Sequence, residues 1–292
     1  MNFVRYKKIY FAFSGLVILA SIGSVAVFGL NPGIDFTGGS ILEVSYSGQR
    51  PSNQEIRDGL AEFKLGEIYV QPTEENGVII KTKDISEETH RLIIQKLNAS
   101  QDVREKRFES LGPVIGKELR EKTVTLIILA LFAMVVYIIF AFRKIRRPLP
   151  PWQYGAVSLV ILFHDIAVPI GVFAVLGKFY GIQITIPVVA ALLTVVGYAI
   201  NNVVVVFDRL RENLSKRVSV VFDETVNKSI SQSLARCLNT SLTTILVLSA
   251  IFFFGGPTLR AFSLALIIGI TAGTYSAVFL TAPLLTIFKK HA

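Results

Sequence analysis

The chain has 292 residues, of which 52% are hydrophobic and 17% charged, and it carries a net charge of +9. Soluble domains hold roughly 25% charged residues and lack apolar runs of spanning length, so an ordinary soluble protein is excluded. The basic residues flank the apolar runs and do not gather into one patch, which argues against nucleic-acid binding and for a membrane protein.

Six segments are long and apolar enough to cross a ~30 Å hydrocarbon core as helices, near residues 9–30, 123–142, 153–176, 184–207, 237–254 and 259–288. The first could be taken for a secretory signal, because Ser24-Val25-Ala26 resembles a cleavage site. Its apolar core exceeds the roughly 7–15 residues of a typical signal, so it is expected to remain as a span.

Residues 31–122 form the one large hydrophilic stretch, which reads as a small α+β domain. Residues 40–46 alternate, with Leu42, Val44 and Tyr46 on one face and Ile41, Glu43 and Ser45 on the other. Ser52 and Glu55 have capping-box spacing, and Ile56, Leu60 and Phe63 follow at helical intervals. Strands are predicted near 67–70 and 78–82, joined by the turn Glu75-Asn76-Gly77. A helix headed by Ser86 carries Leu92, Ile93 and Leu97, and a last strand is predicted near 103–108. The order β-α-β-β-α-β is the ferredoxin-like arrangement. At roughly 75 residues its core is small for independent stability. Leu111-Gly112-Pro113-Val114-Ile115-Gly116 is turn-rich, and a hinge to the second span is expected there. The expected division is therefore 1–30 as a first span, 31–122 as outer domain with hinge, and 123–292 as a five-helix membrane domain.

Polar groups inside the spans carry the functional signal. His164-Asp165 sits mid-way along the third span, where a carboxylate is costly unless it is protonated or paired. It reads either as a proton or sodium relay or as a buried pair holding helices together. The fourth span carries Asn201 and Asn202, amides that need a protein interior or a hydrated path, and leaves the membrane through Asp208, Arg209, Arg211 and Glu212. Arg236 heads the fifth span, followed by Asn239, Thr240, Ser241, Thr243 and Thr244. It reads as a snorkelling anchor or as part of a polar seam. Gly269, Ala272, Gly273 and Ser276 in the sixth span permit close helix contact. Pro169 and Pro187 are expected to kink their spans.

One side of the membrane receives Arg5, Lys7, Lys8, Arg143, Lys144, Arg146, Arg147, Arg209, Arg211, Lys216, Arg217, Lys228, Lys289 and Lys290. The other side's short loops hold only Lys178 and Arg260, so both termini are expected in the cytoplasm and residues 31–122 outside. Enzymatic chemistry finds little support. The three histidines, His90, His164 and His291, cannot form a metalloprotease pair, and the single cysteine, Cys237, excludes a disulfide framework or a zinc cluster. No phosphate-binding loop and no framed nucleophile occur, and no cofactor is expected.

Several runs together resemble the SecD/SecF family of the resistance–nodulation–division superfamily, on its SecF side. They are Gly33-Ile34-Asp35-Phe36-Thr37-Gly38-Gly39, Leu111 to Leu119, His164-Asp165, Val196 to Asn202 leading into Phe207 to Asn213, Asn239 to Thr244, and Phe252-Phe253-Phe254-Gly255-Gly256. The resemblance implies six spans, a SecD partner that repeats the layout, and a proton or sodium gradient used to help chains emerge from the SecYEG channel after the SecA ATPase. It places the ion-coupling centre around Asn202 and Arg236. Family members usually carry aspartate where this chain has Asn202, so any proton is expected on an aspartate of the partner. Half of a small-molecule or lipid exporter of the same superfamily is the alternative. One modest outer domain and six spans favour the secretion role.

Overall fold

The computed structural model describes residues 2–73, 76–100, 102–143 and 149–289. Glu75 of the expected turn, the basic residues Lys144, Arg146, Arg147 and Lys290, and His291 lie outside that set. The chain divides into two compact units, Met1–Asn31 with Thr125–Ala292, and Pro32–Val124.

The smaller unit holds strands β1 (Gly39–Tyr46), β2 (Tyr69–Pro72), β3 (Gly77–Thr82) and β4 (Val103–Leu111) in the order β2-β3-β1-β4, every pairing antiparallel. This is the ferredoxin-like arrangement expected from the sequence. On β1 the predicted face packs inward: Leu42, Val44 and Tyr46 are buried with Ile56, Leu60, Val78, Ile80, Ile93 and Leu97. Opposite β4, Glu43 faces Arg107 while Val44 faces Glu105, a bulge that bends the edge strand.

Before β1 comes the short helix α2 (Ile34–Thr37), and after it helix α3 (Asn53–Leu60). Ser52 caps α3 by accepting from the Glu55 backbone N–H at 3.2 Å, while the Glu55 carboxylate accepts from the Ser52 N–H at 2.7 Å. The Ser52 backbone N–H, and after it the Ser52 hydroxyl, hold the Glu55 carboxyl below its ordinary range. Ser52→Ala is expected to cost about 1 kcal/mol, read as faster amide exchange in α3. Helix α4 (Glu87–Ser100) covers the same face, with Ser86 accepting from the Thr89 N–H.

Glycines seat the turn between α2 and β1. Gly38 has φ +73°, and a Cβ there would lie 2.7 Å from the Pro113 Cα. Gly39 has φ +141°, and its Cβ would fall 2.5 Å from the Thr82 carbonyl oxygen. Both obstacles are backbone, which cannot move aside as a side chain can.

The run 111–116, where a hinge is expected, is mostly regular structure. Leu111 ends β4 and Pro113 is already in α5 (Pro113–Ala141), leaving Gly112 alone between them. Proline suits a first helical turn because its missing N–H would have had no partner there.

The larger unit contains α1 (Lys7–Phe28), part of α5, α6 (Pro151–Tyr180), α7 (Ile186–Ser215), α8 (Phe222–Phe254), α9 (Pro257–Ser276) and α10 (Ala282–Lys289). Among the described residues, six helical stretches are long and apolar enough to span a membrane, the last running from α9 into α10. Pro169 lies inside α6 as expected, but Pro187 sits in the first turn of α7, where it starts the helix and does not kink it. Helix α8 begins fifteen residues before the predicted span at Cys237, at Phe222, because its first turns are amphipathic and not apolar. Helix α1 lies along α6, and α9 packs against α6, α7 and α8. Gly269 meets the Val195 side chain and Gly273 meets Ala199, the close contacts that small residues permit.

Candidate functional site

The polar groups of the helical unit converge on one turn of α9, Gly273-Thr274-Tyr275-Ser276. Three side chains leave that turn for three different helices. Ser276 donates to Asp165 Oδ2 of α6 at 2.9 Å. Thr274 donates to the Ser241 hydroxyl of α8 at 2.6 Å, and the Tyr198 hydroxyl of α7 reaches the same Ser241 at 3.4 Å. Tyr275 donates to the Tyr10 carbonyl of α1 at 3.2 Å and accepts from Ser14 at 3.4 Å. Because α9 packs among α6, α7 and α8, its one polar turn reaches α6, α8 and α1 directly, and α7 joins only through Ser241.

Asp165 is fully buried and His164 is 3% exposed. His164 Nδ1 lies 2.9 Å from Asp165 Oδ1, and the Tyr275 ring stands 6.2 Å from the imidazole. Each carboxylate oxygen therefore has one partner: imidazole on one side, the Ser276 hydroxyl on the other. The pair can hold one shared proton with no net charge, or release it and keep a carboxylate steadied by the serine. A carboxylate oxygen and a hydroxyl facing one another are also ligands suited to a hard monovalent cation.

Immediately after this turn the helix widens. Residues Ala277–Thr281 form a π-helical turn, and Thr281 donates to the Ser276 carbonyl at 3.1 Å. Single π turns recur at functional positions inside α-helices because they shift the register of everything beyond them. The Ser276 side chain contacts Asp165 while its backbone carbonyl accepts from Thr281 across the π turn.

The amide positions part company. Asn202 is 1% exposed, and its Nδ2 has no hydrogen-bond partner among the described residues. Asn201, beside it on α7, is exposed. Arg236 is exposed on α8, and among the described residues no hydrogen bond joins it to Asn202. Of the two residues around which the coupling centre is expected, one is buried and the other exposed. Gln232, Arg236, Asn239, Thr240 and Thr243 are all exposed and share one face of α8 at helical spacing.

Asp208 and Arg209 close α7 with local ion pairs, Asp208 to Arg211 and Arg209 to Glu212, each at 2.7 Å. Pairs this exposed contribute little to stability. Gly33, Asp35, Phe36, Gly38 and Gly39 belong to the smaller unit, away from the polar turn in sequence, and they organise the start of β1. There the positive charge of Lys81 lies near Asp35, while burial pulls the lysine's pKa down.

Sequence reading singles out His164, Asp165 and Asn202 but takes Ser276 only as a small packing residue, and it passes over Thr274 and Tyr275. The missed signal is three consecutive polar-capable residues in an otherwise apolar helix. Among the described residues, no group of three or more histidine, cysteine, aspartate or glutamate side chains could hold a metal ion.

The family described as "Protein export membrane protein SecD/SecF, C-terminal" matches residues 93–291, and the "SecD/SecF GG Motif" matches residues 23–49. A protein translocase subunit SecF of Thermobaculum terrenum is 36% identical, with 99% of this chain and 94% of the relative covered. The SecF subunit of Vibrio alginolyticus is 37% identical, covering 100% and 91%. The crystal structure of SecDF from Thermus thermophilus, described as a translocon-associated membrane protein, superposes with a TM-score of 0.87 at 32% identity over 99% of this chain. This chain spans 39% of that structure's length.

Proposed function

This chain belongs to the SecD/SecF family of protein-export membrane proteins, and from that premise we propose how it works as a SecF-type translocase subunit. It pairs within the membrane with a SecD-type subunit and uses the proton or sodium gradient to promote late steps of export through the SecYEG channel, with SecA acting upstream. Both termini face the cytoplasm and residues 31–122 face outward, following the basic residues of the short loops.

The observation that carries this reading is the exposed polar stripe Gln232, Arg236, Asn239, Thr240 and Thr243 on α8. An arginine facing lipid costs up to about 2.5–3.5 kcal/mol at the bilayer centre and less at the head of a span, and the uncovered amide of Asn239 inside the span adds to that. A second membrane subunit laid on this face removes the cost by supplying acceptors. A carboxylate is the acceptor that suits a guanidinium best. Asn202, which has an amide and no titrating proton, then forms part of the surroundings of a proton carried by the partner.

Arg236→Ala is expected to abolish gradient-dependent stimulation of export in membrane vesicles, whereas Asn202→Asp leaves it largely intact. Gentle-detergent purification is expected to recover a SecD-type chain in stoichiometric amount, and SecYEG more loosely. Wild-type export by both variants would remove the coupling assignment, and recovery of an outer-membrane channel in place of SecD would favour a small-molecule exporter.

A further inference from the structure

Helix α1 is fixed to α6 at several points along its second half. A Cβ at Gly171 of α6 would lie 2.5 Å from the Ser21 Cα, so the two backbones approach as closely as a missing side chain allows. Further along, the Phe28 and Phe179 rings meet edge to face with their centroids 5.6 Å apart. A Cβ at Gly177 would lie 3.0 Å from the Asn31 Cβ and 3.2 Å from the Ile182 carbonyl oxygen, so a second side chain is left out where the chain leaves α1.

The turn between α6 and α7 completes the attachment. Gly181 ends α6 at φ +67°, and its N–H donates to the Leu176 carbonyl, the left-handed cap that lets the chain turn back. In the turn that follows, the Ile184 N–H donates to the Asn31 carbonyl oxygen at 2.7 Å. Asn31 is the last residue of the helical unit before Pro32 opens the smaller one. By contrast Gly29, at φ +71°, has no atom within 4 Å of where its Cβ would be. The chain has room at Gly29 and is gripped at Asn31.

Contacts between backbones leave no soft side chain to absorb a displacement, so a shift on one side of such a joint is passed to the other. The helix on the gripping side, α6, is the one that carries His164 and Asp165.

We propose that the α6–α7 turn is a strap that fixes the exit of α1 to α6, so that the chain entering the smaller unit follows the helix bearing His164 and Asp165. The strap stays closed while the protein works. Its mechanical role rests on the export reading above, whereas its geometry does not.

The full chain is prepared with Cys237→Ser, which removes the one native thiol, and with Asn31→Cys and Gly177→Cys added. The 3.0 Å between the two Cβ positions is slightly under the roughly 3.5–4.5 Å that a disulfide spans, so a small relaxation admits the bond. Copper phenanthroline should cross-link the pair in membranes without denaturant, and stimulation of export under an imposed gradient should be the same before and after the bond is reduced. Absence of the cross-link would overturn the proposal. So would a cross-linked protein that regains stimulation only on reduction, because the joint would then have to open in each cycle. Gly177→Val approaches the strap from the other direction. Exchange of the Ile184 amide should quicken about tenfold, the scale of one lost hydrogen bond, and gradient-driven stimulation should be lost while the thermal midpoint in detergent stays near that of the parent. An unchanged Ile184 amide, or normal stimulation, would sink the idea. Should the valine protein fold poorly, the comparison of oxidised with reduced protein in one sample still decides. Cross-linking and amide exchange need no translocase. A parent chain without gradient-driven stimulation would therefore remove the export reading, and with it the strap's mechanical role, while these two readouts still report its geometry.

Discussion

Asp165→Leu is expected to abolish gradient-driven export and to destabilise the helical unit by about 3–5 kcal/mol, the cost of removing one partner from a buried polar pair. Leucine fills much of the volume but leaves the His164 imidazole and the Ser276 hydroxyl facing an apolar surface. Asp165→Asn separates the two contributions. An amide oxygen still accepts from Ser276, so the thermal midpoint in detergent should stay close to that of the parent, within about 1 kcal/mol in stability terms. An amide cannot release a proton and holds a cation only weakly, so stimulation under an imposed gradient should still be lost. Normal stimulation by the Asp165→Asn protein would confine the pair to holding α6 against α9. A parallel measurement follows from the π turn: the same variant should show altered amide exchange across Ala277–Thr281, because Ser276 connects the carboxylate to that segment.

Gly38→Val is expected to be the most damaging single change in the smaller unit. It combines a β-branched side chain at φ +73°, worth roughly 1–2 kcal/mol of backbone strain, with a collision against Pro113 backbone atoms worth about 1–3 kcal/mol more. A unit of this size holds on the order of 5–10 kcal/mol in total, so the variant should be marginal. Limited proteolysis of the full chain should cut first within residues 32–124, and the amides of β1 and β3 should lose protection. Gly29→Val is the control. It has almost the same φ, +71°, but no atom within 4 Å of its Cβ, so only the backbone strain should be felt. If the two variants lose protection equally, close packing against the start of α5 is not why Gly38 is glycine.

Periodicity and capping chemistry carried most of the fold. Alternation in 40–46 identified the buried face of β1, and the Ser52–Glu55 spacing placed the start of α3, because both depend on neighbours a few residues away. Two element starts differ from the local reading for reasons that lie in the chain's context. The turn-rich run before α5 is mostly helix, since Pro113 at a first turn initiates a helix as readily as glycines end one. The fifth span starts well before its apolar core, since an amphipathic stretch extends the same helix into its polar surroundings.

Residue order alone determined that this is a six-span chain with one ferredoxin-like insert, and that polar groups lie inside its spans. Hydrophobic length and period act along the chain and need no partner to be read. Which of those polar groups meet was decided only in three dimensions. Asp165 and Ser276 are far apart in sequence and 2.9 Å apart in space, while Asn202 and Arg236, joined in the expectation, are buried and exposed respectively. The rotational setting of each helix about its own axis makes that choice. Packing across all of the neighbouring helices fixes that setting, and the order of residues along any one span does not contain it.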